Sequence, residues 1–395
     1  MWHSKMKRLL VIGASVLQVP AIRKAREMGL HVAVADFNPH AIGIPLADAY
    51  YNVSTIDEEG VYEAAKAFGA DGIMTLATDM PMRSLAYACE KLGLVGLAYD
   101  ASVRATDKGE MIRTFEAAGV EHPWYQIVPA GQKPAPGYTF PLITKPTDNS
   151  GSRGVMLVHS EEELAAALSY SSGNGRRGDV IMEEYMQGPE VSVEVMVSHG
   201  VPHVLQITDK LTTGAPHFVE MGHSQPSRLP EDAQIAIRDL ASRAALAVGI
   251  HDGPAHVEII LTATGPKMVE LGARMGGDCI TTHLVPLSTG IDMVGNTIRI
   301  ALGEEPDLEQ KLQKGSAIRY FHAPCGVIRA IEGVEEAGKI PGVQEITFVR
   351  NVGDVSGDIG SSTDRVGFVI AQAETAEAAV AVCERVLESV RIVVE

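Results

Sequence analysis

The sequence predicts a multidomain α/β and α+β protein that begins with a parallel-sheet domain. The chain has 395 residues, more than one compact domain usually holds. In the first hundred residues, short apolar segments alternate with amphipathic helical patterns, which is typical of a parallel sheet with right-handed crossovers. After residue 120, prolines and glycines become frequent and strand-like segments follow. These observations indicate an α/β domain followed by mixed lobes.

The first domain, residues 1–105, follows from strand and helix patterns in chain order. We expect strands at Leu9–Ile12, His31–Asp36, Gly72–Leu76 and Val95–Leu97, with helices at Val19–Met28, Glu58–Phe68 and Met82–Leu92.

Three further units are predicted, at residues 106–190, 191–310 and 311–395. In the first two, we expect strands at 141–145, 154–158, 179–183 and 190–197, helices at Glu161–Leu168 and Glu231–Val248, and a hairpin of 255–261 with 266–271 that turns at Gly265-Pro266. The last unit should be α+β and should end in the helix Ala376–Val390 and a short strand.

Charge and composition restrict the partners. The chain has 33 basic and 50 acidic residues, a formal net charge of −17, and a 46% hydrophobic fraction that excludes wholesale disorder. The acidic balance argues against nucleic-acid and anionic-membrane partners, although a local cluster of cations can still hold a nucleotide. No apolar run is long enough to span a bilayer. The four cysteines show no CxxC spacing, so we expect free thiols and a cytoplasmic protein.

The first strand and turn resemble a dinucleotide-binding motif only in part. Gly13 lies in the turn and Asp36 ends the second strand, as that motif requires. Ser15 and Gln18 stand where the second and third glycines belong, so backbone cannot easily approach a pyrophosphate. The turn is better explained as a scaffold element.

A strand predicted to end near Lys145 leads into a glycine- and serine-rich loop, Ser150–Gly154. The N–H groups and hydroxyls of such a loop can cover a triphosphate while the lysine neutralises phosphate charge. A hairpin loop with one exposed lysine explains this segment equally well.

The segment from Val180 to Val195 joins two strands by a tight connection. Glu183, Glu184 and Glu190 surround this connection, where carboxylates and exposed backbone can bind an adenine edge and ribose hydroxyls. A solvated acidic turn is the alternative.

Glu258 and Glu270 lie on the two strands of the predicted hairpin, in facing positions on otherwise apolar segments. An unpaired carboxylate there would be costly, and Mg²⁺ is a natural partner because it takes one or two protein carboxylates together with phosphate oxygens and water. Arg274 follows on a glycine-rich turn, where it can neutralise a phosphoryl group or a carboxylate. A cross-strand ion pair of Glu270 with Lys267 or Arg274 is the simpler alternative, but it leaves Glu258 unexplained.

The order of these parts resembles the ATP-grasp superfamily of carboxylate–amine ligases, which includes biotin carboxylase, carbamoyl-phosphate synthetase and the bacterial L-amino acid ligases. The resemblance covers essentially the whole chain. It implies that residues 1–105 form a pre-ATP-grasp domain, that 106–190 and 191–310 are the lid and central lobes of a two-lobed ATP-grasp fold, and that 311–395 pack on the central lobe.

The resemblance also implies roles for particular residues, with ATP and Mg²⁺ (or Mn²⁺) as cofactors. Glu258 and Glu270 are similar to the paired metal ligands, and Arg274 to the catalytic arginine. The implied ATP-binding residues are two phosphate lysines, the lid, and the adenine and ribose contacts: Lys108, Lys145, Ser150, Gly151, Ser152, Glu183, Glu184, Met186 and Glu190.

One position departs from the family pattern. Gly272 stands where the family commonly has an asparagine, so a metal or phosphate contact is missing or supplied elsewhere.

We expect His223 in a polar loop, 218–230, that reaches the cleft, although an ordinary surface loop explains this segment equally well. For Asp278, capping of a helix is an equally good explanation. The candidate substrate contacts are Lys210, His223, Gly276, Gly277, Asp278, Arg319 and Arg329.

The implied activity is ATP- and Mg-dependent ligation of a carboxylate to an amine through an acyl phosphate, with release of ADP and phosphate. The strings ELGARMGGD and FVEMGHSQPS resemble the L-amino acid ligase branch, so a dipeptide-forming ligase is the first expectation, with small-molecule substrates and a homodimer by analogy. The alternatives are a bicarbonate- or formate-activating ligase of the purine-biosynthesis type, a non-catalytic nucleotide-binding protein, and an NAD oxidoreductase.

Overall fold

The computed structural model describes residues 6–149, 151, 153–215 and 218–395. The N-terminal elements are β1 (Arg8–Ile12), α1 (Val19–Glu27), β2 (His31–Ala35), β3 (Ala49–Tyr51), α2 (Glu58–Phe68), β4 (Gly72–Met74), α3 (Met82–Leu92) and α4 (Tyr99–Thr106). The four strands form a parallel sheet in the order β3-β2-β1-β4. This is the parallel-sheet domain that the sequence predicts.

Both faces of this sheet are covered, because side chains of β1 alternate between two cores. Leu10 and Ile12 pack with residues of α2 and α3, whereas Leu9 and Val11 pack with α1 and with a later helix, Met293–Ala301. The N-terminal domain is therefore fixed to the central part of the chain by a shared core.

The predicted strand Val95–Leu97 is wrong, since these residues form the connection between α3 and α4. Gly96 packs so closely on α3 that a Cβ there would lie 2.7 Å from Cys89 Sγ. These residues therefore form a tight turn against α3 and do not add a strand to the sheet. The sequence reasoning also missed the short strand β3 and the helix α4.

The next unit carries a four-stranded antiparallel sheet with one covering helix. Its elements are α5 (Lys108–Ala118), β5 (Tyr125–Val128), β6 (Leu142–Pro146), β7 (Met156–Val158), α6 (Glu161–Gly173) and β8 (Val180–Glu184). The strand order is β5-β8-β6-β7, and Leu142 and Met182 pack with Leu164 of α6. We call this unit the lid sheet.

The central unit continues with β9 (Glu190–Ser198), β10 (Val201–Thr212), β11 (Glu220–Gln225), α7 (Glu231–Val248), β12 (Gly253–Thr262), β13 (Gly265–Gly272), a π-helical turn (Ile280–Leu284), α8 (Val285–Thr289) and α9 (Met293–Ala301). The helix α7 packs on the sheet through Ile237, Leu240 and Ala244. Residues 220–225 form β11, so the prediction of a polar loop over 218–230 is wrong for them. Pairing with two neighbouring strands satisfies their backbone groups.

The C-terminal elements are β14 (Gly315–Phe321), β15 (Gly326–Glu332), α10 (Val334–Gly338), β16 (Val343–Phe348), β17 (Val355–Ser356), β18 (Gly367–Ala373), α11 (Ala376–Ser389) and β19 (Arg391–Val394). Three of these strands extend the central sheet to the order β13-β12-β9-β10-β11-β14-β18-β16, and the other three form a small sheet, β17-β15-β19. One sheet therefore runs across the domain boundary that the sequence places at residue 310.

Across the described ranges, no helix combines the length and apolar character needed to cross a bilayer.

Candidate active site

A cleft of about 580 Å³ lies between the lid sheet and the central sheet. The lid sheet contributes β6, β8 and the loop after β6, and the central sheet contributes β10, β12 and β13. Of the predicted ATP-binding residues, the cleft is lined by Lys108, Lys145, Gly151, Glu183, Glu184, Met186 and Glu190. Ser150 and Ser152 lie outside the residues that the structure describes. Three segments that are remote in sequence, around residues 108, 145–151 and 183–190, thus meet in one cleft.

The floor of the cleft is the connection between β8 and β9, residues 185–189. Gly188 has φ +146°, and a Cβ at this position would lie 1.9 Å from the carbonyl oxygen of Leu261. Only glycine lets the connection pass this close to β12. The close approach brings the backbone of Met186 to the cleft wall.

Glu258 and Glu270 lie directly opposite each other on β12 and β13, as predicted. The turn of the hairpin is at residues 263–264 and not at Gly265-Pro266, because Thr262 pairs with Gly265. That turn alone would set Glu258 across from Val269. A β-bulge between Glu258 and Ile259 shifts the register by one residue and brings the two carboxylates face to face.

These two carboxylates fit a divalent cation by their chemistry, because hard cations such as Mg²⁺ prefer carboxylate oxygens. Within the described residues, no group of three or more His, Cys, Asp or Glu side chains is arranged to hold a metal by itself. The pair Glu258 and Glu270 therefore suits a cation that takes its remaining ligands from substrate and water.

Lys210 lies beneath this pair and is shared by three glutamates. Its Nζ is 2.6 Å from Glu190 Oε1, 3.2 Å from Glu258 Oε2 and 3.7 Å from Glu220 Oε1, and its side chain is 3% exposed. Burial alone would lower the pKa of Lys210, but the charges of Glu258, Glu190 and Glu220 outweigh it and raise the pKa. Lys210 is thus a counter-ion of the acidic cluster, and its buried ammonium is fully committed to protein carboxylates.

The two predicted phosphate lysines also pair with carboxylates. Lys108 Nζ lies 2.9 Å from Glu270 Oε1, and Lys145 Nζ lies 2.8 Å from Glu183 Oε2. Glu270 therefore does not form the alternative pair with Lys267, whose ammonium contacts Glu184. Both lysines line the cleft. Their charges are balanced by Glu270 and Glu183, which are predicted to bind the metal and the adenine.

Arg274 lines a second pocket of about 270 Å³. Its guanidinium makes a two-pronged ion pair with Asp79 of the N-terminal domain, with Nε–Oδ1 and Nη2–Oδ2 distances of 2.9 and 2.8 Å. Glu258 and Glu270 line both pockets. The second pocket, which we call the acyl pocket after the acyl phosphate that the resemblance implies, thus opens directly onto the paired carboxylates.

The sequence reasoning missed a buried histidine in the acyl pocket. His256 Nδ1 is 2.5 Å from Glu194 Oε1, and Nε2 is 3.5 Å from Glu258 Oε1. Gly276 passes so close that a Cβ there would lie 2.5 Å from His256 Nδ1. The alternation along β12 could have found His256, since it lies two residues before Glu258 and so shares its face.

The turn after Arg274 brings the predicted residue Asp278 to His223. Asp278 Oδ2 lies 3.2 Å from His223 Nε2, and both Asp278 oxygens accept hydrogen bonds from Arg365. Burial alone would raise the pKa of Asp278, but the hydrogen bonds from His223 and Arg365 outweigh it and hold the pKa well below its usual range. Asp278 caps no helix here; its carboxylate is part of an ion-pair cluster.

None of the predicted substrate residues lines the acyl pocket directly: Lys210 lines the larger cleft, and His223, Gly276, Gly277, Asp278, Arg319 and Arg329 line neither. Arg319 is buried behind β11, where it donates to the carbonyl oxygens of His223 and Ile318. Arg329 lies on the small C-terminal sheet, is 56% exposed and pairs with Glu395. Arg319 supports β11 and Arg329 faces solvent, so we leave both out of the site.

The turn with the partial dinucleotide motif is closed by its own side chains. Asp36 accepts hydrogen bonds from the backbone N–H groups of Ala14 and Asn38, and Gln18 accepts from the N–H of Ser15. A Cβ at Gly13 would lie 2.8 Å from Gln18 Oε1. The acid and the space that a dinucleotide would need are therefore already used within the fold.

The chain is similar to known proteins in sequence and in fold. Residues 138–282 match a family model described as an ATP-grasp domain, and residues 319–395 match L-amino acid ligase C-terminal domain 2. The chain is 27% identical over 333 residues to an uncharacterized protein of Sinorhizobium fredii, covering 82% of this chain and 68% of that protein. It is 26% identical over 337 residues to the alanine–anticapsin ligase of Bacillus subtilis, covering 78% and 70%. The crystal structure of L-amino acid ligase from Bacillus licheniformis has the same fold, with a TM-score of 0.87, 23% identity, and coverage of 98% of this chain and 99% of that chain.

Proposed function

Because the chain is an ATP-dependent, ADP-forming carboxylate–amine ligase with an ATP-grasp domain and an L-amino acid ligase C-terminal domain, we propose that it joins two L-amino acids into a dipeptide. The predicted family resemblance and fold class are confirmed. The observation that carries the proposal is the pair Glu258 and Glu270, which stands between a nucleotide-sized cleft and the acyl pocket.

The cleft binds ATP in this proposal, with adenine at the connection after β8 and phosphates near the paired carboxylates. Glu183 and the backbone near Met186 meet the adenine, and Glu190 meets the ribose. Lys108 and Lys145 exchange their carboxylate partners for phosphate oxygens, which keeps each buried ammonium paired throughout. Binding therefore replaces charge pairs that already exist and leaves no lysine unpaired.

Glu258 and Glu270 would hold one or two Mg²⁺ ions. When bound, such a cation neutralises the charge that develops on the transferring phosphoryl group. The protein contributes positioning, because the bulged hairpin fixes both carboxylates on neighbouring strands.

The chemistry proceeds in two steps that need no protein nucleophile. A carboxylate oxygen of the first amino acid attacks the γ-phosphorus of ATP, the bond to ADP breaks, and an acyl phosphate forms. The amine of the second amino acid then attacks the acyl carbon, phosphate leaves, and the nitrogen loses a proton. Arg274, held by Asp79 at the mouth of the acyl pocket, stabilises the negative oxygens of both steps.

The C-terminal domain supports amino acids over bicarbonate or formate as the acid substrate. Its match to the L-amino acid ligase domain covers residues 319–395, and a segment of this domain, Gly360–Ser362, lines the acyl pocket. A homodimer and a cytoplasmic location stay predictions.

The test is ADP release with ATP, Mg²⁺ and a matrix of paired L-amino acids, with the products identified by mass spectrometry. We expect ADP and a dipeptide in equal amounts for at least one pair. The parallel arm supplies formate or bicarbonate with purine-pathway amines. Activity in that arm alone would overturn the amino-acid assignment, and NADH binding without ATP binding would overturn the ligase site.

A further inference from the structure

Three segments that are remote in sequence form walls of the acyl pocket. Val219 and Glu220 come from the start of β11, and Gly272 and Arg274 from the end of β13 and the turn behind it. The third wall, Gly360–Ser362, belongs to the C-terminal domain. The shape of the pocket thus depends on how these three segments are held together.

Arg365 makes hydrogen bonds to all three segments. Its Nε donates to the carbonyl oxygen of Ser362 at 2.9 Å, and its Nη1 donates to the carbonyl oxygen of Glu220 at 3.2 Å. Nη1 and Nη2 also donate to the two carboxylate oxygens of Asp278, at 2.9 and 2.8 Å, on the turn that follows Arg274. The guanidinium carbon lies 3.7 Å from the ring centroid of Tyr320, so the aromatic ring also packs against this side chain.

The turn that Arg365 holds is strained. Asp278 and Cys279 have φ values of +50° and +60°, a conformation that costs a residue with a side chain about 1–3 kcal/mol. Such a conformation persists only where the surroundings fix it. The two-pronged pair from Arg365, added to the contact with His223, supplies that restraint.

We propose that Arg365 is a positioning residue that fixes the acyl pocket from the C-terminal domain. Its donors are committed to Ser362, Glu220 and Asp278, so it acts through these segments and not by contact with substrate. The geometry assigns it the task of keeping Arg274 and the wall Gly360–Ser362 in register around the reacting carboxylate. This inference rests on the proposed function for its kinetic part.

The test compares the variants Arg365→Met and Arg365→Lys with Arg385→Met, which removes an exposed arginine from α11 of the same domain. Hydrogen–deuterium exchange over residues 274–284 measures the restraint without any substrate. We expect exchange there to rise at least about tenfold in both Arg365 variants and to stay at the wild-type rate in R385M. Lysine keeps the charge but cannot supply the fork.

The kinetic arm measures KM for the amino acid, KM for ATP, and dipeptide formed per ADP. For R365K we expect KM for the amino acid to rise at least about tenfold and dipeptide per ADP to fall below one, because a misplaced pocket lets the acyl phosphate meet water, while KM for ATP stays unchanged. A purely structural role would lower the active fraction and leave both KM values and the product ratio as in wild type.

Unchanged exchange over 274–284 in R365K overturns the positioning role, as does an unchanged product ratio in an active variant. If the wild-type protein forms no dipeptide but exchange over 274–284 is still faster in R365K, the proposed function is refuted. The restraint by Arg365 is then still supported.

Discussion

Replacing Lys210 by methionine removes a buried positive charge that three partly exposed glutamates share. With an effective dielectric constant near 20, each contact of 2.6–3.7 Å is worth roughly 5 kcal/mol before the cost of burying the lysine is subtracted. Removing one partner of a fully buried ion pair costs about 3–5 kcal/mol net. The three glutamate side chains here are 27–28% exposed, so water offsets part of that cost. We expect K210M to lose about 3 kcal/mol of unfolding free energy, the lower end of that range.

Urea unfolding in the presence of EDTA measures this loss, since a bound divalent cation would replace the missing charge. Lys267→Met is the matched control: this lysine also pairs with a glutamate, but the Lys267 and Glu184 side chains are 26% and 38% exposed. A more exposed pair is worth about 1 kcal/mol or less. Equal losses in K210M and K267M would refute the reasoning that the three glutamates depend on Lys210.

Three more outcomes are expected. Glu270→Ala lowers ADP formation at least about 100-fold, whereas Glu345→Ala, which removes a half-exposed glutamate outside the cleft, leaves it unchanged; normal turnover in E270A would contradict the metal assignment. Gly276→Ala pushes a Cβ towards His256 and lowers kcat/KM for the amino acid about 10–100-fold with KM for ATP unchanged, as steady-state kinetics would show. Because folding lowers the pKa of Asp278, its stabilising effect is present above the unfolded-chain pKa of about 4 and is lost as the pH falls through the lower folded-state value. Asp278→Asn should therefore flatten the acid side of the Tm-against-pH curve, and parallel curves would contradict this.

The facing positions of Glu258 and Glu270 are predicted correctly, but the turn and the bulge that produce them are not. Two apolar strands with one acid each predict a facing pair, and Glu258 does face Glu270. The register follows from a turn at residues 263–264 and from a β-bulge at Val269, and neither is predicted from the sequence. No local pattern marks a bulge, because it depends on how two strands pair and not on either strand alone.

The sequence pattern does not predict contacts between segments that are remote in the chain. Asp79 and Arg274 are far apart in the chain, and so are Asp278 and Arg365, yet both pairs fix the acyl pocket. The polar segment around His223 predicts a loop, whereas pairing on both sides makes that segment a strand. A buried strand with polar side chains resembles a loop in the sequence, because the sequence alone does not show the strands that pair with it.

The continuous hydrogen bonding from β11 to β14 bears on how such enzymes diverge. A chimera cut at residue 310 would bring a foreign strand against β11, and so would shift Glu220 and the segment beside it. Exchange of the C-terminal domain would therefore reshape one side of the acyl pocket, while Lys108, Lys145 and the connection between β8 and β9 stay as they are. Recombination at this point would alter which acids the enzyme accepts and preserve its use of ATP.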